Sequence, residues 1–128
     1  MKLFDTSAWI EKLIGSPLGL KLDKELPKPE LCVVPTLVQF ELSKWLTRER
    51  SEEIANMAIA FTRTCHVVPL STTIALSAAE LSRVHNLAAA DAIIYATSLH
   101  MDAELITCDA HFADLPGVRY FSKNLQMK

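Results

Sequence analysis

The sequence predicts an α/β protein, a three-layer α/β/α sandwich around a central, mostly parallel sheet of four to five strands. Two observations carry that expectation. Short apolar runs alternate with longer segments of helical period along the whole chain, the pattern of strand–helix–strand units whose helices cover both faces of a parallel sheet. Hydroxyl or acidic residues stand where apolar runs give way to helical period, at Asp5-Thr6, Ser51 and Ser71, as helix N-termini require.

The elements follow in order. Residues 1–5 form a short strand and 6–14 a helix capped by Asp5 or Thr6. Gly15-Ser16-Pro17 is a break, and a short helix near 17–25 follows it. "LCVVP", 31–35, is a buried strand closed by Pro35, and 36–49 is a helix. Ser51 followed by Glu52 and Glu53 starts a helix that runs to about 64, since acids suit a helix N-terminus. "HVVPL", 66–70, is the third strand, and Ser71 caps a helix over 72–85. The alanine-rich stretch 87–101 is the next helix, "AELITC", 103–108, the fourth strand, 110–114 a single turn, and "VRYF", 118–121, a last strand. There is no internal repeat, low-complexity tract or linker, so residues 1–128 are expected to form a single domain.

Composition removes several function classes. The chain is 50% hydrophobic and 22% charged, a globular rather than disordered composition. No apolar run approaches the roughly 18 residues of a membrane span. Asp5 and Glu11 interrupt any signal-peptide core. Cys32, Cys65 and Cys108 are far apart and odd in number, and read as small core residues in a reducing cytoplasm. Thirteen Lys and Arg against fifteen Asp and Glu give a net charge of −2. That opposes electrostatic duplex binding, although a bound cation can reverse the sign of an acidic pocket. The three glycines, Gly15, Gly19 and Gly117, form neither GxGxxG nor a Walker loop.

Four acids stand in apolar surroundings. Glu41 shares a helix face with Val38, Leu42 and Trp45. Taken singly, it also reads as an edge residue paired with Lys44. Asp91 lies among "LAAADAII", where an aspartate is either a cap or an unusual interior residue. Asp5 and Asp109 each follow an apolar strand, and each reads singly as a cap. Together they read differently. All strand C-termini of a parallel sheet share one edge, where such folds bind ligands. Asp5 and Asp109 are delivered to that edge directly, and Glu41 and Asp91 come from early turns of helices that start there.

Carboxylates 5 Å apart repel by roughly 3 kcal/mol at an effective dielectric of 20. A cluster of them implies either protonation or a divalent cation. All-oxygen ligation favours Mg²⁺ or Mn²⁺ over zinc, and His66, His85, His100 and His111 show no zinc spacing. These histidines read as surface or partly buried side chains. A hydrated cation held by carboxylates points to phosphodiester hydrolysis by a metal-activated water.

"FDTSAWI", "PTLVQFEL", "LAAADAIIYATS" and "LITCDAHFADLPGV" resemble the four motifs of the PIN domain, most nearly those of VapC-type toxins of bacterial toxin–antitoxin pairs. The resemblance covers nearly the whole chain, with the motifs in order. It implies a Mg²⁺- or Mn²⁺-dependent endoribonuclease whose catalytic and metal-binding acids map onto Asp5, Glu41, Asp91 and Asp109. Asp109 falls at the family's most variable acidic position, and Asp114 is a further carboxylate of that region. Thr6 matches the hydroxyl often found beside the first acid, with Ser7 a second candidate for orienting Asp5. The resemblance also implies an RNA substrate, a homodimer and a cognate antitoxin protein. Lys12, Lys44 and Arg48 are candidate phosphate contacts, and equally solvated helix charges. Trp9, Ile10 and Leu13 with the segment 17–26 offer an antitoxin groove or a core face, and Leu18, Leu20, Leu22 and Leu26 a dimer seam or partner site.

Other readings fit less well. A receiver-type module that takes a phosphoryl group on Asp needs a lysine at the end of a late strand, and these strands end in "TCD" and "YFS", with Lys123 poorly placed. A Mg²⁺-dependent phosphatase of the haloacid-dehalogenase type needs an acid two residues after the first Asp, where this chain has Ser7. A degenerate, non-catalytic partner-binding scaffold has no need of four acids.

Overall fold

Five strands, each three or four residues long, form one sheet. In the computed structural model, which describes residues 1–123, they are β1 (Lys2–Phe4), β2 (Cys32–Pro35), β3 (His66–Val68), β4 (Glu104–Thr107) and β5 (Val118–Tyr120). All four neighbouring pairs are parallel, in the order β3-β2-β1-β4-β5. Six helices connect them: α1 (Thr6–Ile14), α2 (Pro17–Asp23), α3 (Thr36–Glu49), α4 (Glu52–Thr62), α5 (Thr72–His85) and α6 (Ala89–His100). From β1 the chain winds outward to β3, then crosses back to β4 on the other side of β1. Right-handed crossovers therefore put α1–α4 on one face and α5–α6 on the other, giving the expected three layers. Residues 124–128 of the expected single domain lie outside the described residues.

Local chemistry sets the element ends. Asp5, Ser16, Ser51 and Ser71 each accept a backbone N–H three residues on, and so start α1, α2, α4 and α5. Pro17 occupies the first turn of α2, where its missing N–H costs nothing. The bounds of α1, α3 and α5 coincide with the sequence expectation. The α4 helix stops at Thr62, α6 begins at Ala89, and β3 ends at Val68. A 3₁₀ turn at Pro29–Leu31 leads into β2 and was not expected.

The core is the apolar filling between the layers. Leu3, Phe4, Val33, Val34, Leu105 and Ile106 are fully buried strand residues, as strands covered on both faces require. Cys32 and Cys108 are buried free thiols and Cys65 is half-buried. Burial pushes the Cys32 and Cys108 thiols up to about 12, which makes them packing residues rather than nucleophiles. No described helix is long and apolar enough to cross a membrane.

The helix pair α1–α2 depends on one small residue. A Cβ at Gly19 would stand 2.0 Å from the Glu11 carbonyl oxygen, so the two backbones touch only because position 19 has no side chain. Glu11 in turn is one of the few buried charged residues. Gly19→Ala should therefore lower stability by about 1–3 kcal/mol in urea unfolding. An unchanged midpoint would show that α2 does not pack on α1 in this way.

Candidate active site

A cleft of about 390 Å³ opens at the C-terminal edge of the sheet, between the ends of β1 and β4 and the helices α1, α3 and α6. Asp5, Thr6, Glu41, Asp91 and Asp109 all line it, as do Ser7, Glu11 and Lys123.

Asp5 is held most tightly. It is 3% exposed. Its Oδ1 accepts the Ser7 hydroxyl at 2.7 Å and the Ala8 N–H at 2.9 Å, and its Oδ2 accepts the Thr107 hydroxyl at 2.6 Å. Burial raises its pKa to about 6 against those three hydrogen bonds, which lower it, and the nearby charge of Asp109 adds to the rise. Desolvation of the carboxylate thus outweighs its hydrogen bonds.

Of the two hydroxyls expected beside the first acid, the second candidate makes the bond to Asp5. Ser7, not Thr6, orients Asp5, and Ser7 also accepts the Cys108 N–H at 3.0 Å. Thr6 instead donates to Glu41 Oε1 at 2.5 Å. Thr6 is the first residue of α1, beside the cap, and its side chain reaches across to α3. Glu41 is thereby fixed by Thr6 rather than by Lys44, whose ammonium stands 5.9 Å from the Phe40 ring centre.

Asp91 sits in the first turn of α6 but does not cap it. Ala88 occupies the cap position with no side-chain bond. Burial raises the Asp91 pKa, with Asp109 raising it further, His111 lowering it and Glu41 raising it. Asp109 caps the 3₁₀ turn Ala110–Phe112 through the His111 N–H at 2.9 Å, while its own N–H donates to Thr107 Oγ1. Asp109 stands near enough to both Asp5 and Asp91 for its charge to raise the pKa of each. Asp114 is exposed and lies outside the cleft.

The candidate phosphate contacts also lie outside the cleft. Lys12 pairs with Asp23 at 3.3 Å, and Arg48 stands 3.9 Å from Glu49. Among the described residues, the only cationic side chain lining the cleft is Lys123, delivered by the chain after β5. Glu11 was readable as a site residue, since Ser7, Ile10, Glu11 and Ile14 share one face of α1 and all line the cleft. Thr107 was signalled only as a hydroxyl in a buried apolar strand. Near Asp91 and Asp109 the donors are mainly oxygens, joined by one imidazole. Asp91, Asp109 and His111 each offer a donor atom within 4.8 Å of the other two. That set fits a divalent cation.

A second, apolar groove of about 260 Å³ runs between α1 and α4, lined by Trp9, Leu13, Ile54, Met57 and Phe61 among others. The Trp9 indole N–H is buried with no acceptor among the described residues. The second wall of this groove is α4, not the 17–26 segment. Leu18 and Leu22 are core residues, Leu26 packs on the core, and Leu20 alone of that set is exposed.

The PIN-domain family model matches residues 2–118. The chain belongs to the PIN-domain family. Its fold is similar to a chain of a toxin–antitoxin complex from Klebsiella pneumoniae, with a TM-score of 0.82 and 26% identity over 95% of this chain and 99% of that one. It is also similar to a VapBC structure from Rickettsia felis bound to promoter DNA, with a TM-score of 0.74 and 14% identity over 94% and 98% of the two chains. A sarcin-ricin-loop-cleaving toxin from Mycobacterium tuberculosis matches with a TM-score of 0.68 and 18% identity over 84% and 87%. No curated protein matches the chain.

Asp5 makes the cation-free PIN fold sensitive to pH. Its folded pKa lies above the ordinary 3.8, so the folded chain holds the proton where the unfolded chain has lost it. Its contribution to stability falls as pH rises from about 4 through 6 and levels off above that. The cost of ionised Asp5 is about 3 kcal/mol. In urea unfolding with a chelator, Asp5→Asn should gain stability relative to the parent between pH 5 and 7. Parallel pH profiles for the two proteins would contradict this.

Proposed function

We propose that this PIN-domain chain is a Mg²⁺- or Mn²⁺-dependent endoribonuclease, the toxin of a toxin–antitoxin pair, acting as a single domain in the cytoplasm. The observation that carries the reading is the shared cleft of Asp5, Glu41, Asp91 and Asp109 at the strand C-termini, where parallel α/β sheets bind ligands. The family membership and the sarcin-ricin-loop-cleaving relative support the same reaction class.

Within this reading each side chain has a task. Asp5, Glu41, Asp91 and Asp109 hold the cation. Ser7 and Thr107 fix the Asp5 carboxylate, and Thr6 fixes Glu41, so little reorganisation accompanies binding. When bound, the cation supplies an acidified water and a counter-charge for the phosphate. Lys123 adds a positive charge for the RNA backbone in a chain whose net charge is −2. The relatives seen in toxin–antitoxin complexes support an antitoxin partner, and the apolar groove between α1 and α4 suits an apolar segment of it. A homodimer belongs to the same reading as an expectation from the family resemblance.

Purified Asp91→Asn should lose RNA cleavage by about a hundredfold or more, since even outer-shell partners of metal ligands cost 10–100-fold. It should melt no lower than the parent in chelator, because one repulsive charge is gone. Millimolar Mg²⁺ or Mn²⁺ should raise the melting temperature of the parent and do so less for the variant. Undiminished cleavage by Asp91→Asn would remove this residue from the reaction.

A further inference from the structure

We propose that His111 ligates the same divalent ion as Asp91 and Asp109, and that it biases this site toward a transition metal such as Mn²⁺ over Mg²⁺. The proposal rests on the acidic cleft being a cation site, and it names the ion that site prefers.

The position of the imidazole is built into the chain. His111 lies in the 3₁₀ turn Ala110–Phe112, and the next residue, Phe112, is fully buried and anchors the turn. The His111 N–H donates to Asp109 Oδ1, which closes the turn on the acid that caps it. This brings Nδ1 to 3.2 Å from Asp109 Oδ1 and 3.4 Å from Asp91 Oδ2. Adjacent donors around an octahedral ion, each about 2.1 Å from it, stand about 3 Å apart. The imidazole nitrogen therefore stands from each acid at close to the spacing a common small cation requires, and all three donors lie within 4.8 Å of one another. Asp91 comes from α6 and Asp109 from the end of β4, so two elements converge on one imidazole. The ring itself is 75% exposed and lines a neighbouring pocket that shares Asp91 with the acidic cleft, so it is free to turn toward an incoming ion.

Donor chemistry gives the selectivity. Mg²⁺ takes oxygen ligands and gives up its waters reluctantly. An imidazole nitrogen suits first-row transition ions such as Fe²⁺, Ni²⁺ and Zn²⁺ best, and Mn²⁺, though it shares the oxygen preference of Mg²⁺, still takes such a nitrogen more readily than Mg²⁺ does. Replacing one water by His111 therefore strengthens binding of Mn²⁺ more than of Mg²⁺. Without an ion, the same side chain simply stands beside two carboxylates at the surface, where such contacts contribute little.

Calorimetric titration of the full chain with MnCl₂ and, separately, MgCl₂ tests this in the parent, His111→Ala and Asp91→Asn. The expected result is that His111→Ala weakens Mn²⁺ binding about tenfold or more, with a clearly smaller change for Mg²⁺, while Asp91→Asn weakens both. Pulsed electron paramagnetic resonance of the Mn²⁺-loaded parent should show coupling to a ligand nitrogen that His111→Ala removes. A parent that binds both ions, with His111→Ala changing the two equally or not at all, overturns the role of His111 and leaves the cation site standing. A loaded parent without nitrogen coupling does the same. A parent that binds neither ion overturns both this proposal and the functional reading beneath it.

Discussion

The parallel pairing of β1 with β4 is the interaction on which the site depends. Phe4 lies opposite Ile106, and the next N–H, that of Asp5, donates to the Ile106 carbonyl at 3.1 Å. That register puts Asp5 beside Thr107 although 102 positions separate them in the chain. It also sets Ser7 against the Cys108 N–H. A slip of one residue would turn Thr107 to the other face of the sheet and leave Asp5 without its partner. The same pair is where the winding reverses, since β2 and β3 lie on one side of β1 and β4 and β5 on the other. Helices leave such a point in opposite directions and open a crevice.

Filling that crevice with carboxylates has an energetic consequence. Asp5 receives three hydrogen bonds and is still pushed to about 6, because burial wins. Asp91 is raised by burial and by the charges of Asp109 and Glu41. The fold tolerates this because the rest is conventional: an aliphatic sheet buried on both faces, side-chain caps at the starts of α1, α2, α4 and α5, and a glycine where α1 and α2 touch. A net stability of about 5–15 kcal/mol leaves room for a few such strained groups. A divalent ion bound there would stabilise the ionised forms and relieve the strain, so the groups that destabilise the cation-free protein are those proposed to bind the ion.

The frame was legible in the sequence because its signals are local. Asp5, Ser51 and Ser71 mark helix starts within a residue, and the alternation of apolar runs with helical period fixes a parallel sheet. Once the sheet is parallel, the meeting of Asp5 and Asp109 follows from topology. What was not legible depends on cross-chain geometry. Nothing in "DTS" says that Ser7 turns back to Asp5 while Thr6 crosses to Glu41. The lysines of α1 and α3 were candidates by charge alone, and each settles against a near neighbour on the protein surface. Lys123 reaches the cleft only because the chain returns there after β5. His111, without a zinc spacing, gave no sign that it would stand between two acids.

The most direct measurement of the central claim is anomalous diffraction from crystals of the protein soaked in Mn²⁺. A common cation for acids so far apart in sequence predicts an anomalous peak inside the cleft, within ligand distance of Asp109 and at least one more of Asp5, Glu41 and Asp91. Well-diffracting crystals whose only Mn²⁺ peaks lie on outer surfaces, with the cleft acids ligating none, would contradict the account.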